Sequence, residues 1–243
     1  MRRAITRAPV SVLRDLHQWQ FPQVDGDCTV LSRGVGRFGV RGGTDDLVHV
    51  LPGQEPAVEA VIRSLLQPGD TFIDAGANIG FYTVLAAKLV GSDGHVIAFE
   101  MMPTTADILR VHVAMNGCTN VRIHEGALTS TAGQLVEASV RPGRYGSASI
   151  ARQSGEELIA VRTITLADAL RDVSRVRLMK MDLEGAELDA LQGLGAALRK
   201  VDAIVFEDKG GPETKDFLNA HGFHCRRIDG ANALAERDDA FTR

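Results

Sequence analysis

Five carboxylates fall in two short stretches late in the chain: Asp182, Glu184 and Glu187 in one, Glu207 and Asp208 in the other. Each stretch follows a densely apolar segment, residues 177–181 and 201–206, that reads as a buried parallel strand. Acids gathered at adjacent strand ends can do two kinds of work. Crowding raises the pKa of one, which then serves as a general base. Alternatively they share a hard divalent cation such as Mg²⁺, which prefers oxygen ligands. Asp182 ends its strand and is the leading catalytic candidate, with Glu184 and Glu207 supporting it; Asp182, Glu207 and Asp208 form the candidate metal set. Glu187 has a purely structural reading: acids that open a helix, with Arg199 and Lys200 closing it, complement the helix dipole.

A second constellation lies earlier. Phe72-Ile73-Asp74-Ala75-Gly76-Ala77-Asn78-Ile79-Gly80 reads as a strand running into a tight loop that opens a helix. Glycines there permit close backbone approach, and N–H groups at the helix start can bond polar ligand atoms. Glu100, about twenty residues on at the end of the next strand, is spaced to accept both hydroxyls of a ribose. Nicotinamide-dinucleotide domains share that spacing. Asp74 separates the two, because a carboxylate entering the loop suits an ammonium and a sulfonium and would repel a pyrophosphate. A literal G-x-G-x-x-G occurs at 34–39, but no helix follows it, so it reads as a hairpin.

The elements that must position these groups alternate from about residue 55, which predicts a parallel sheet with crossover helices. Helices are expected near 56–66, 79–89, 104–115 (with Ile108, Val111 and Met115 on one face), 183–200 and up to 221. Strands are expected at 71–75, 95–99, 121–124, 177–181 and 201–206, with a closing hairpin from Phe223. Residues 1–54 read as an N-terminal cap or antiparallel appendage, with a short helix near 10–18 and strand-like stretches at 28–31 and 38–51. Residues 129–165 interrupt the alternation just before the fourth strand. A long acceptor-side loop overhanging the carboxyl edge of the sheet is expected there.

In these motifs the chain resembles the FkbM family of class I methyltransferases. The resemblance rests on Phe72–Phe81, Val96–Glu100, Asn116, Gly126-Ala127-Leu128, Lys180-Met181-Asp182-Leu183-Glu184-Gly185-Ala186-Glu187, and Glu207. It implies a Rossmann-like α/β fold: a mostly parallel seven-stranded sheet with helices on both faces, residues 55–243, and a small N-terminal cap. It also implies S-adenosylmethionine as cofactor and methyl transfer to a hydroxyl of a small molecule, often a sugar or secondary metabolite. Asp74, Gly76, Ala77, Asn78, Gly80, Phe81, Tyr82, Glu100, Met101, Glu125, Gly126, Ala127 and Asp182 are the residues expected around the cofactor. Two features depart from the family: Met101-Met102 precede Pro103 after the ribose-binding acid, and Leu166-Ala167-Asp168 replaces a Leu-Asp pair.

Composition narrows the partners. A net charge of −4 gives no reason to expect nucleic acid or an anionic membrane, and no apolar run approaches the roughly 20 residues of a span. Cys28, Cys118 and Cys225 lack disulfide or metal spacing, which points to a reducing cytoplasm. His17, His49, His95, His112, His221 and His224 likewise form no metal pattern, whereas His124 with Glu125 could approach an adenine. Arg141, Arg144 and Arg152 could meet an acidic acceptor or simply be solvated. A homo-oligomer stays open, as do two other readings: methylation at nitrogen, and a cofactor-binding module without catalysis.

Overall fold

The computed structural model describes residues 10–14, 20–150 and 157–237. Two antiparallel hairpins come first, β1 (Val10–Arg14) with β2 (Gln20–Val24) and β3 (Cys28–Ser32) with β4 (Gly36–Val40). The helix expected near 10–18 is therefore a strand over its first residues, and 15–18 lie outside the described residues. The strand-like stretch at 38–51 ends at Val40 and gives way to a helical turn, α1 (Asp46–His49). The glycines of the G-x-G-x-x-G match sit in and beside the β3–β4 turn, where no helix opens.

The alternating unit follows. It comprises α2 (Pro56–Leu65), β5 (Thr71–Ala75), α3 (Phe81–Val90), β6 (His95–Glu100), α4 (Pro103–Met115) and β7 (Val121–Glu125). Pro56 and Pro103 occupy first-turn positions, where a missing N–H leaves no bond unmade. On α4 the buried side chains are Thr105, Ala106, Leu109, His112 and Val113, while Val111 and Met115 are 55% and 42% exposed. The helix thus turns a different face inward from the one its longer apolar residues suggest. Leu109 and Val113 pack on Ala98 of β6, where small residues allow close approach.

The 129–165 segment is sheet rather than loop. Strands β8 (Ala127–Leu128), β9 (Leu135–Arg141), β10 (Arg144–Ser149) and β11 (Glu157–Ile164) join in the order β10-β9-β11-β8, around a small core of Met102, Ala127, Ala138, Val140, Ala148 and Val161. Next, α5 (Leu166–Ala169) is capped by Thr165, whose hydroxyl accepts from the Asp168 N–H at 3.3 Å. Exposed Asp168 closes that cap and pairs with Arg171 at 2.5 Å, which gives the variant Leu166-Ala167-Asp168 a structural role.

The chain ends with β12 (Leu178–Met181), α6 (Glu187–Gln192), β13 (Ala203–Glu207), α7 (Glu213–Ala220), β14 (Phe223–Arg227) and β15 (Asn232–Arg237). The helix expected through 200 stops at Gln192 and resumes as a 3₁₀ turn, Gly195–Lys200. Gly193 abuts the backbone of Thr129, and Gly195 has a φ of +49°, so the two glycines break it.

Seven strands form the main sheet, in the order β14-β15-β13-β12-β5-β6-β7. The pairings from β13 to β7 are parallel, and β15 runs antiparallel to both its neighbours. The side chains of β5 alternate between two covered faces. Phe72 packs with Val84, Leu85 and Val96 on one face, and Ile73 with Met179, Ile204 and Leu191 on the other. Helices therefore cover both faces, and the strand order reverses at β5, where such sheets offer a binding crevice.

Candidate active site

A cavity opens beyond the carboxyl ends of β5, β6 and β12, roofed by the inserted sheet and walled by the N-terminal segment. Its floor is Gly76 to Tyr82. Gly76 has a φ of +81°, and a β-carbon there would stand 2.0 Å from the carbonyl oxygen of Asp182, so only glycine lets the ends of β5 and β12 meet. The Gly76 and Ala77 N–H groups donate to the Phe99 carbonyl at 3.1 and 2.8 Å, which folds the loop back over β6. Asn78 adopts a φ of +50°, and its side-chain oxygen accepts the Ile79 N–H at 2.8 Å.

Glu100 sits at one end of this floor. It is 7% exposed, and each carboxylate oxygen accepts one backbone N–H at 2.9 Å, from Asn78 and from Met102. Every carboxylate oxygen has a second lone-pair site, so the group is fixed in place yet can still accept two hydroxyls. Burial raises its pKa to about 7 against the pull of the two N–H donors.

At the other end three charges stack. Lys180 and Asp74 are register partners on adjacent strands, so both side chains emerge on the α3 face. Asp74 is wholly buried; Oδ2 accepts the Thr83 hydroxyl at 2.6 Å, and Oδ1 has no hydrogen-bond partner. Burial raises its pKa despite the nearby Lys180. Lys180, 5% exposed, reaches Asp182 at 3.2 Å and lies 5.2 Å over the Tyr82 ring. Burial would discharge this ammonium, but Asp182, Asp74 and Glu55 hold it charged and raise its pKa. Burial likewise opposes charge on Asp182, and Lys180, with His49 and Lys209, outweighs it and lowers that pKa.

The remaining wall comes from the N-terminal segment and the insertion. His49, Leu51, Gln54 and Glu55 face Tyr145, Gly146, Ala148 and Ile150. Glu55 accepts the Tyr82 hydroxyl at 3.1 Å, tying this segment to α3. His112 ties it to the loop: Nε2 accepts the Gly39 N–H at 2.8 Å, and Nδ1 lies 2.6 Å from the Ile79 carbonyl. Burial lowers the His112 pKa, so the ring is neutral and carries its proton on Nδ1.

Residues 74–231 match the family profile described as Methyltransferase FkbM domain. The chain belongs to the FkbM methyltransferase family. It is 29% identical over 161 residues to the hexuronic acid methyltransferase AglP of Haloferax volcanii, an alignment that covers 64% of each protein. It is 26% identical over 213 residues to the 31-O-demethyl-FK506 methyltransferase FkbM of Streptomyces tacrolimicus, covering 72% of this chain and 78% of that one. Among solved structures, a putative O-methyltransferase from Klebsiella pneumoniae superposes with a TM-score of 0.51 at 13% identity, over 78% of this chain and 82% of the other. That likeness shows the fold alone, the S-adenosylmethionine-dependent methyltransferase fold of the family.

For an FkbM member, most of the expected cofactor residues gather. Gly76, Ala77, Asn78, Gly80, Phe81, Tyr82, Glu100, Met101, Gly126, Ala127 and Asp182 all line the cavity. Two expected residues do not. Asp74 lies behind the loop, under Thr83 and beside Lys180, and Glu125 points outward to Arg110 at 2.8 Å. Gly80 also accommodates Leu109 of α4, which lies 2.4 Å from where a β-carbon would sit. His124 stacks on Phe99 at 5.1 Å rather than entering the cavity.

The carboxylate group separates in the same way. Asp182 and Glu184 line the cavity, while Glu207 stands behind Lys209, 3.2 Å from its ammonium, with its pKa raised to about 7 by burial and then by Asp182. Asp208 pairs with Lys215 at 2.9 Å, off the cavity. Glu184 has a φ of +53° and precedes α6, and Glu187, the first residue of that helix, holds the preceding turn by accepting the Leu183 N–H at 2.8 Å. The expected metal set does not fit a cation. Asp182, Glu207 and Asp208 each face a lysine instead, and among the described residues no group of three potential ligands converges.

Sequence reasoning missed His49, Glu55, Tyr145 and Lys180 as cavity residues. Lys180 carried a usable signal, a cation inside an otherwise apolar strand. The other three come from segments whose alternation with the main sheet is not written in local periodicity. Arg152 and His17 lie outside the described residues. Arg144 is partly buried in β10 and does not line the cavity.

Proposed function

We propose that this chain transfers a methyl group from S-adenosylmethionine to a hydroxyl oxygen of a small molecule, with sugar acids and secondary metabolites as the acceptor class. The observation that carries the reading is one cavity with two differently equipped ends, beneath a family match. One end has the Glu100 carboxylate with lone pairs to spare, and the other has Asp182 beneath the inserted sheet.

Glu100 would take the two ribose hydroxyls, and Met101, Gly126 and Ala127 would line the adenine side. The loop from Gly76 to Tyr82 would bring backbone close to the cofactor's middle. When bound, S-adenosylmethionine supplies an electrophilic methyl on a positively charged sulfur. Asp182 would accept a hydrogen bond from the acceptor, at a hydroxyl beside the reacting one, and so aim the reacting oxygen; with its pKa lowered by Lys180, it orients the acceptor better than it holds a proton. Lys180 keeps Asp182 in place and offsets Asp74 behind it. The inserted sheet, residues 127–164, would act as the acceptor-side lobe, with Tyr145 and Ile150 shaping the pocket.

The printed names of two relatives support the acceptor class, one a hexuronic acid methyltransferase and one a methyltransferase of 31-O-demethyl-FK506. The net charge of −4 disfavours a nucleic-acid acceptor. A second reading has its own observation: Asp182 and Glu184 both face the cavity and could hold an ammonium, which would favour transfer to nitrogen. The test is turnover of tritiated S-adenosylmethionine with paired acceptors that differ only in bearing a hydroxyl or an amine. Label in the hydroxyl member supports the proposal, and label confined to the amine member replaces it with the second reading.

A further inference from the structure

The N-terminal segment brings a histidine–aspartate pair to the acceptor end of the cavity. Asp45 precedes α1 and His49 ends it, four residues on, so both side chains lie on one face of the turn. His49 Nε2 lies 3.3 Å from Asp45 Oδ2, and the ring lines the same cavity as Asp182. Asp45 is itself anchored to the inserted hairpin. Its N–H donates to the Gly143 carbonyl at 2.8 Å, and its Oδ1 accepts the Tyr145 N–H at 3.2 Å. Arg41 adds to the junction, bidentate to Asp46 at 2.7 and 2.8 Å and stacked 4.3 Å over the Tyr145 ring.

The docking of the inserted hairpin is therefore complete without the imidazole, which contributes no bond to it. Gly146 leaves room for the ring, since a β-carbon there would stand 2.2 Å from His49 Nε2. With Nε2 turned to Asp45, the other nitrogen, Nδ1, makes no hydrogen bond among the described residues. A ring oriented by a carboxylate, with its second nitrogen unbonded among the described residues and on a cavity wall shared with Asp182, has the arrangement of a general base.

We propose that His49 accepts the proton of the acceptor hydroxyl at Nδ1, with Asp45 as the positioning residue that holds the Nε2–H tautomer. This rests on the hydroxyl-methylation reading above. As the acceptor oxygen's lone pair forms the C–O bond, the S–CH₃ bond breaks and its electron pair stays on sulfur. The O–H proton passes to Nδ1 and leaves later to solvent. The positive charge lost from sulfur is thus taken up by an imidazolium between two carboxylates, Asp45 and Asp182. Burial would lower the pKa of His49, but Asp45, then Asp182 and Asp46, raise it. Tyr145, Lys180, Glu184, Glu55, Tyr82 and Glu100 are the other titratable groups that face the same cavity.

Two measurements test this. Histidine ring NMR of the protein saturated with S-adenosylhomocysteine, with His49→Gln used to assign the signal, should show the Nε2–H tautomer at high pH. His49 should titrate above about 6.5, its ordinary value, and fall in Asp45→Asn. An Nδ1–H tautomer, or a titration indifferent to Asp45→Asn, overturns the proposal. In kinetics with methyl glucuronoside and methyl galacturonoside as acceptors, His49→Gln should lower kcat by about 10²-fold or more and abolish the acid limb of the kcat–pH profile. Asp45→Asn should move that limb to lower pH. Calorimetric affinity for S-adenosylhomocysteine should hold in both variants. Retained kcat in His49→Gln overturns the proposal while the parent reading stands. If wild-type protein methylates neither probe, the parent reading fails for sugar acids, and the ring titration alone decides the pair.

Discussion

Replacing Lys180 by Met should destabilise the protein in a pH-dependent way. The ammonium is the nearest cation to a wholly buried Asp74, whose Oδ1 has no hydrogen bond, and it touches Asp182 at 3.2 Å. Removing one partner of a buried pair typically costs about 3–5 kcal/mol, because the other charge is left uncompensated. Asp182 is partly solvated, so Asp74 dominates the loss. Asp74 has one escape, which is to take up a proton. Its folded pKa is already above the unfolded value, and losing Lys180 raises it further. A raised carboxylate pKa means that stability is retained while the group is protonated and is lost as pH rises through the folded value. The deficit should therefore approach the range of about 3–5 kcal/mol at high pH, with Asp74 ionised, and shrink as pH falls and the group takes up its proton. Urea unfolding followed by circular dichroism across a pH series measures it. The double variant Lys180→Met with Asp74→Asn, which removes the stranded charge, should recover most of the loss at high pH. A deficit that is small, independent of pH, or unrelieved in the double variant would refute this account of the buried charges.

Three further outcomes follow from the same geometry. Affinity for S-adenosylhomocysteine should weaken as pH falls below about 7, where Glu100 takes up a proton, and Glu100→Ala should lose about 1.5–3 kcal/mol per ribose hydrogen bond; calorimetry across pH measures both. His112→Phe should cost about 1–3 kcal/mol for each stranded group, the Gly39 N–H and the Ile79 carbonyl. Because the folded pKa of His112 lies below its unfolded value, its contribution is present above about pH 6.5 and is lost as pH falls toward the folded value; the variant's melting temperature should show a weaker acid dependence than that of the wild type. Treatment with a strong chelator should leave the methylation rate unchanged, since lysines already face the three carboxylates that could have shared a cation; a rate lost to chelation and restored by Mg²⁺ would contradict that.

Features carried by local periodicity were legible in the sequence. Thr71 to Ala75 is a strand with the bounds its apolar run predicts, and the Gly76–Gly80 loop turns where its glycines require. Glu100 follows at the spacing a ribose clamp needs. The misreadings come from contacts between distant segments. Asp74 enters the loop, which suggests a ligand-facing side chain, but the parity of β5 turns it beneath α3, toward Lys180. The buried face of α4 differs from the one its long apolar residues suggest because small Ala106 and polar His112 are buried against β6 and the N-terminal hairpin. Residues 129–165 looked irregular because their pairing partners lie across the insertion and at Ala127–Leu128. His49 could not be singled out at all, since the Gly146 backbone it packs against and the Asp182 charge it feels lie about a hundred residues or more away.

The central claim is methyl transfer from S-adenosylmethionine to a hydroxyl oxygen. Its most direct test is incubation with S-adenosylmethionine carrying a ¹³C-labelled methyl group, with an acceptor that offers both a hydroxyl and an amine, followed by carbon NMR of the product. The structure predicts the labelled carbon bonded to oxygen, in wild-type protein and, at a much lower rate, in Asp182→Asn. Label bonded to nitrogen, at a rate indifferent to Asp182→Asn, would contradict it.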